Sequence, residues 1–233
     1  MIKIFQLLVP RSGQGAETFV ARLTEAARPL VGAEGLAGFD VQQALPLPAR
    51  KDIVQLDVPA AVEAFVEFWV EDDATYDAFL DSAAGRRWRE ARAEVTQAAR
   101  TLVLVERPKI PVPAERPATR NNAFLTRHAR FTPEEFRHEW HVGHGDMCLS
   151  VPYLKAFVPC DVVATLPERD VVELRMAEVE GIAQAYFDTP EDEIAMIQTP
   201  EAKAWFAHGA ETFGLIKAFG ARETIASAPA GAA

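Results

Sequence analysis

At 233 residues with 49% apolar side chains, the chain can bury one large core or two small cooperating ones, and its body is too apolar to stay disordered. A net charge of −10 and a pI near 5.1 provide no cationic field for phosphate backbones or anionic lipid, which disfavours nucleic acid and membrane surfaces as partners. The longest apolar stretches, Ile4 to Val9 and Ala60 to Val70, fall short of the roughly 20 residues that cross a bilayer.

Met1 leads straight into Ile2 to Val9, a strand-like run without the cleavage site of a secretory signal, so a cytoplasmic protein is expected. Strands are predicted to open both halves of the chain, at 2–9 and 121–128. The third strand of the first half alternates Val62, Ala64, Val66, Phe68 and Val70 on one face with Glu63, Phe65, Glu67 and Trp69 on the other. The second half repeats this, with Val179, Gly181, Ala183, Ala185 and Phe187 against Glu180, Ile182, Gln184 and Tyr186. The smooth apolar faces ask for helices, which leaves the mixed faces to cover each other.

A duplication is visible in the spacing. Phe19 matches Phe136, Trp88 matches Trp205, Leu7 matches Phe124 and Glu106 matches Glu223, each pair 117 apart (136 − 19 = 117). Between the copies, Arg107 to Pro117 carries four prolines, a stiff extended tether. The first helix of the second copy has a complete start signal: Thr132 as N-cap, Pro133 at N1, Glu135 closing a capping box and Phe131 stapling onto Phe136.

The element order is βαββαβ twice, the split βαβ or ferredoxin-like unit. The expected fold is α+β: two ferredoxin-like repeats, 1–107 and 121–226, joined by a Pro-rich linker at 108–120 and followed by a frayed tail at 227–233. Packing the two sheets together within one chain gives a barrel with a shared, polar-lined pocket in its interior.

Phe136-Arg137-His138-Glu139-Trp140-His141-Val142-Gly143-His144-Gly145, followed by Val151-Pro152-Tyr153-Leu154, resembles the signature of the EthD family. The resemblance covers the second copy. It departs from the family pattern at Asp146, where proline is usual, and at Tyr153, where glycine is usual; the first copy has Ala27 in place of His144. It implies the dimeric α+β barrel superfamily, which holds cofactor-free monooxygenases, polyketide cyclases, muconolactone isomerases and haem-dependent enzymes.

Setting Phe136 at zero and stepping about 100° per residue, Trp140 falls near 40° and His144 near 80°, while His138 and His144 lie about 120° apart and cannot readily share a metal. His141 with His144 and Asp146 stays geometrically open, but without further ligands at diagnostic spacing no metal is expected. His144, near a helix C-terminus whose dipole favours the cationic ring, is the leading acid/base candidate. Tyr186 and Glu180 are expected to orient the substrate or polarise an oxygen, and His128, His141, Gln184, Glu67 and Trp69 to line the pocket. Buried carboxylates there should titrate upward. Trp88 and Trp205 read as core, and Cys148 and Cys160 as buried free thiols.

No GxGxxG, P-loop or GxSxG pattern is present, so no cofactor is expected. The expected function is a cofactor-independent lyase, dehydratase, cyclase or isomerase acting on a small apolar carbonyl or aromatic compound. The alternatives are a non-catalytic small-molecule-binding accessory protein of a catabolic pathway, a haem-binding protein, or a cofactor-free monooxygenase. A small-molecule substrate is the expected partner, with a homodimer left open.

Overall fold

The computed structural model describes residues 1–227. In chain order the first half contains β1 (Ile2–Pro10), α1 (Ala16–Ala27), β2 (Gly38–Pro46), β3 (Val54–Gln55), β4 (Ala64–Val70), α2 (Asp73–Asp81), α3 (Ala83–Val95) and β5 (Thr96–Glu106). The second contains β6 (Thr119–Arg127), α4 (Pro133–His138), a π-helical turn (Glu139–His144), α5 (Gly145–Met147), β7 (Ala156–Leu166), β8 (Val172–Glu173), β9 (Gly181–Phe187), α6 (Pro190–Met196), α7 (Pro200–Thr212) and β10 (Phe213–Ser227).

Each half forms a four-stranded antiparallel sheet, β5-β1-β4-β2 in the first and β7-β9-β6-β10 in the second. The sheets do more than press their faces together. β2 pairs with β10 and β5 with β7, both antiparallel, closing an eight-stranded barrel. An open edge is a row of unmet backbone donors and acceptors; closure satisfies all four edges at once. Of the four major strands in each half, the first, third and fourth agree in register at the 117 offset. Ile4 faces Phe68 and Val103, and Asn121 faces Ala185 and Gly220. The second strand is one residue later: Phe39 faces Phe68, but Phe157 faces Ala185. The π turn before β7 absorbs such an added residue within a continuous helical path.

Within β4 and β9 alternation sorts the side chains as expected, but Val62 and Val179, which precede these strands, join the inner cluster instead of the helix-facing side. Ala64, Val66, Phe68 and Val70 pack outward against Phe19, Leu23, Tyr76 and Trp88 of the helices, while Phe65 joins Phe5, Phe124 and Phe219 inside the barrel. The capping box of Thr132 and Glu135 is present. The proline-rich segment is pinned rather than free: Phe157 N donates to Ile110 O at 2.9 Å and Lys109 N to Phe157 O at 2.9 Å, and β6 has already begun at Thr119. Of the expected tail, Ser227 is still in β10 opposite Phe39, and residues 228–233 lie outside the described residues. No described helix is long and apolar enough to cross a membrane.

The expected interior pocket is corrected by the structure. The barrel centre is filled by the four phenylalanines and by a polar network with almost no access to solvent. Lys3 Nζ donates to Gln184 Oε1 (2.7 Å) and pairs with Glu106 (2.5 Å). Gln184 Nε2 donates to Glu67 (2.5 Å) and Asn122 (2.9 Å). Arg120 donates to Glu67 (3.1 Å), Asp40 (3.0 Å) and the Tyr186 hydroxyl (2.9 Å). Glu67 and Gln184, one offset apart in sequence, meet side chain to side chain. Burial pushes the Asp40 carboxyl up to about 7 against the pull of Arg120. Glu67 was expected to titrate upward; burial does push it up, but Arg120 and Lys3 outweigh that and hold it below the ordinary carboxylate range.

Candidate active site

The large apolar cavity lies on the opposite face of the second sheet, between β10-β6-β9-β7 and the helices, with a volume of about 450 Å³. Its floor is a row of methyl groups. Ala218 faces Ala123 and Ala123 faces Ala183 across three adjacent strands, with Ala185 two positions further on. At about 4.8 Å between strands this row spans about 10 Å, a smooth plane of two-ring to three-ring size. Side chains this small on a sheet face leave space that a helix cannot reach down to fill.

Trp205 and Phe206 of α7 and Met196 and Ile197 at the end of α6 form the walls and roof. The mouth is crossed by the first half: Leu47, Pro48, Arg50 and Asp52 line it, and Arg50 donates to Phe206 O (2.8 Å) and pairs with Asp52. The site is incomplete without that strap. One polar pair sits at the rim, Asn121 Nδ2 donating to Glu193 (2.7 Å).

His144 lines this cavity and is 4% exposed. Its ring stacks on Trp205 (5.3 Å between centroids) and His208 (5.6 Å) and meets the edge of Phe213 (4.9 Å). Its backbone carbonyl accepts from Trp205 Nε1 at 3.2 Å. Gly209 makes this packing possible, since a Cβ there would lie 3.1 Å from His144 Cε1. The expectation of a cationic, helix-end imidazole fails. The helical path continues through α5 to Ser150, so no helix terminus lies at His144, and its Nδ1 has no hydrogen-bond partner among the described residues. Burial first, then the neighbouring His208 and Arg50, press its pKa down to about 3, and the ring is neutral at physiological pH.

The other sequence candidates lie elsewhere. Tyr186, Gln184, Glu67 and Trp69 point into the barrel; Trp69 Nε1 donates to Glu106 (3.2 Å) beneath Lys3. Burial pushes the Tyr186 hydroxyl up although Arg120 beside it pulls down. Glu180 ends up at the start of β9, paired with Arg127 and accepting from its backbone N–H at 2.8 Å. His128 Nδ1 accepts from Arg130 N at 3.2 Å at the surface end of β6. His141 stacks on Trp140 and bonds Asp161 at 2.8 Å, away from both His144 and Asp146, which pairs with Lys109. Among the described residues no group of three or more His, Cys, Asp and Glu is placed to hold a metal ion.

Sequence reasoning missed four contributors. Trp205 is a cavity wall as well as core; His208 stacks beside His144 and pairs with Glu139 at 3.1 Å; Arg50 comes from the other half; the alanine floor was read only as a helix-packing face. The signal that finds the floor is the offset itself, since Ala123, Ala185 and Gly209 stand where the first half has Gln6, Phe68 and Arg92. Cys148 and Cys160 are buried free thiols, and burial pushes the Cys148 thiol up to about 12.

Over 99% of its length the chain superposes on 94% of a candidate monooxygenase from Fusobacterium nucleatum (TM-score 0.65, 6% identity). It does so over 99% on 94% of an anthrone oxidase-like protein (TM-score 0.59, 10% identity), and over 96% on 91% of a haem-binding protein from Thermus thermophilus (TM-score 0.52, 11% identity). At these identities what is shared is the fold, an eight-stranded antiparallel barrel with helices in the α+β class. Residues 128–213, from His128 to the start of β10, match the model of the EthD domain. No curated protein matches the chain.

Proposed function

We propose that the chain is a duplicated EthD-like enzyme, with repeats at 1–107 and 121–226 joined by 108–120, whose one working site is the second-half cavity. The registers of the first, third and fourth major strands, equal at one offset, support the duplication. The substrate class is a flat, largely apolar carbonyl or aromatic compound, matched to the alanine floor and the Trp205 wall. The reading rests on one observation: a desolvated, neutral imidazole, His144, facing the only large apolar cavity described on this side of the second sheet.

A neutral ring can accept a proton, but burial, His208 and Arg50 make this one a weak base until an anion forms beside it. His144 takes a proton from a C–H or O–H next to a carbonyl or aromatic system; the imidazolium so formed is stabilised in that dry site chiefly by the substrate anion left beside it. Returning the proton at another atom gives an isomerase, dehydratase or cyclase without a cofactor. The other fate of the same anion is reaction with dioxygen, a reading that the names of the monooxygenase and anthrone oxidase-like fold neighbours suggest.

The haem-binding neighbour suggests a different reading, which the lining does not fit. Its one cation, Arg50, is already committed to Asp52 and the Phe206 carbonyl, and Asp52 and Glu193 would repel the two propionates.

The test is proton exchange. In D2O the protein should speed deuterium uptake beside the carbonyl of 1-tetralone, a two-ring ketone, and His144→Ala should lower that rate at least about 100-fold while 1-tetralone still binds within a few-fold, followed by Trp fluorescence. No acceleration by the wild type would leave a non-catalytic small-molecule binder, and equal acceleration by the variant would overturn His144 as the base.

A further inference from the structure

The His144 cavity is polar at both ends and apolar between them. Asn121, Ala123 and Leu125 line it from one face of β6. The His144 ring meets Phe213, whose backbone faces Arg127, so the imidazole stands at the Leu125 end. Asn121 stands at the other, opposite Gly220. From Asn121 to Leu125 the strand runs about 13 Å at about 3.4 Å per residue, with alanine between.

At the Asn121 end, Glu193 of α6 lines the cavity and is half-buried, its Oε1 accepting from Asn121 Nδ2 at 2.7 Å. Among the described residues no other hydrogen bond reaches this carboxylate and no Lys, Arg or His pairs with it. An ionised carboxylate has about four acceptor sites, so one bond leaves most of its capacity unused. The pair belongs to the second half alone, since one offset back stand Ile4 and Tyr76. Glu193 repels an anionic ligand. A neutral O–H suits it: the hydroxyl makes a short, charge-assisted bond to the carboxylate, and it costs far less to bring over an alanine floor than an ammonium does.

We propose that Glu193, oriented by Asn121, is the specificity-determining residue of this cavity, and that it selects flat ketones carrying a hydroxyl at the end remote from the carbonyl. The carbonyl and its neighbouring C–H lie towards His144, the rings cover Ala123 and Ala183, and the hydroxyl donates to Glu193. This rests on the reading of the cavity as the working site and adds to it the second polar group that a substrate must carry.

The experiment titrates 1-tetralone, 6-hydroxy-1-tetralone and 6-methoxy-1-tetralone into the full-length protein by calorimetry at pH 6, where the phenol keeps its proton. The hydroxy ketone should bind at least tenfold more tightly than either of the others, and the ratio should fall to about threefold or less in Glu193→Ala and lie between the two in Glu193→Gln. A ratio is read because a merely structural loss would weaken all three ligands together. Binding of 1-tetralone with no gain from the hydroxyl, an equal gain from the methoxy group, or a gain that survives Glu193→Ala overturns Glu193 as the selector and leaves the cavity reading standing. No saturable binding of any of the three overturns both.

Discussion

The two halves share an interior and the registers of all but their second strands, and differ in what stands between sheet and helices. In the first, Phe68 fills that layer, packing against Tyr76, Phe79 and Trp88, and Arg92 closes the end near α3. In the second, Ala185 and Gly209 hold those positions, and the volume removed reappears as the cavity in which His144 sits. One scaffold therefore yields a packed polar layer or an apolar site according to a handful of side-chain sizes. The His144 cavity is crossed by a strap from the first half, and the smaller space by α2 and α3 is bordered by Leu166 to Asp170 of the second, which ties both to barrel closure.

The shared part should be the hardest to alter. Arg120→Met leaves Asp40, Glu67 and the Tyr186 hydroxyl without their common donor inside the barrel, and removing one partner from a buried charge network costs about 3–5 kcal/mol. Urea unfolding measures it, and a loss below about 1 kcal/mol would mean that the interior is not the common support of the two halves.

Copying the first half into the second tests the difference directly. Ala185→Phe places a ring on the alanine floor where Phe68 stands in the other sheet. Binding of 1-tetralone should fall at least about 100-fold, with overpacking costing about 1–3 kcal/mol of stability. Retained affinity would place the ligand elsewhere.

Much of this fold is readable from residues alone. Alternation from Ala64 to Val70 and from Gly181 to Phe187 separates inner from outer faces, though it misplaces Val62 and Val179 ahead of them, and the offset of 117 aligns the halves. Alternation does not say how much room is left beyond an apolar face, so the pocket was expected among the polar side chains of the barrel rather than over Ala123, Ala183 and Ala185. His144 is legible as a residue of interest but its charge state is not, because a regular helical wheel does not register the π turn that carries it under Trp205. Arg50 could not be found from the second copy alone, since its strap belongs to the first.

The protonation of His144 provides a smaller test that separates the halves, the first having Ala27 by offset. An unfolded histidine titrates near about 6.5 and the buried one at about 3. Between these values the unfolded chain binds a proton that the folded one refuses. Stability is therefore fully present above the higher value and is lost as pH falls towards the lower, by up to about 1.4 kcal/mol per pH unit. His208 and Arg50 face the same position in the variant too, so the quantity to measure is the difference between wild type and His144→Gln in unfolding free energy from pH 6 to pH 4. Equal slopes would show that His144 is accessible to protons in the folded state.

The smallest expected effect lies at the entry to β7. Tyr153 is the one described non-glycine residue with positive φ (66°), at a position where the EthD pattern has glycine, and it is 47% exposed. A side chain in the left-handed region costs roughly 1–2 kcal/mol, whereas glycine returns about 0.5–1 kcal/mol of that as extra freedom in the unfolded chain. Tyr153→Gly should thus stabilise by about 0.5–1 kcal/mol, raising Tm by about 1–4 °C in a chain of this size, and should leave proton exchange on 1-tetralone unchanged. A fall in Tm instead would mean that the Tyr153 ring holds the turn by its own packing, so that this departure from the family pattern compensates its strain locally rather than simply tolerating it.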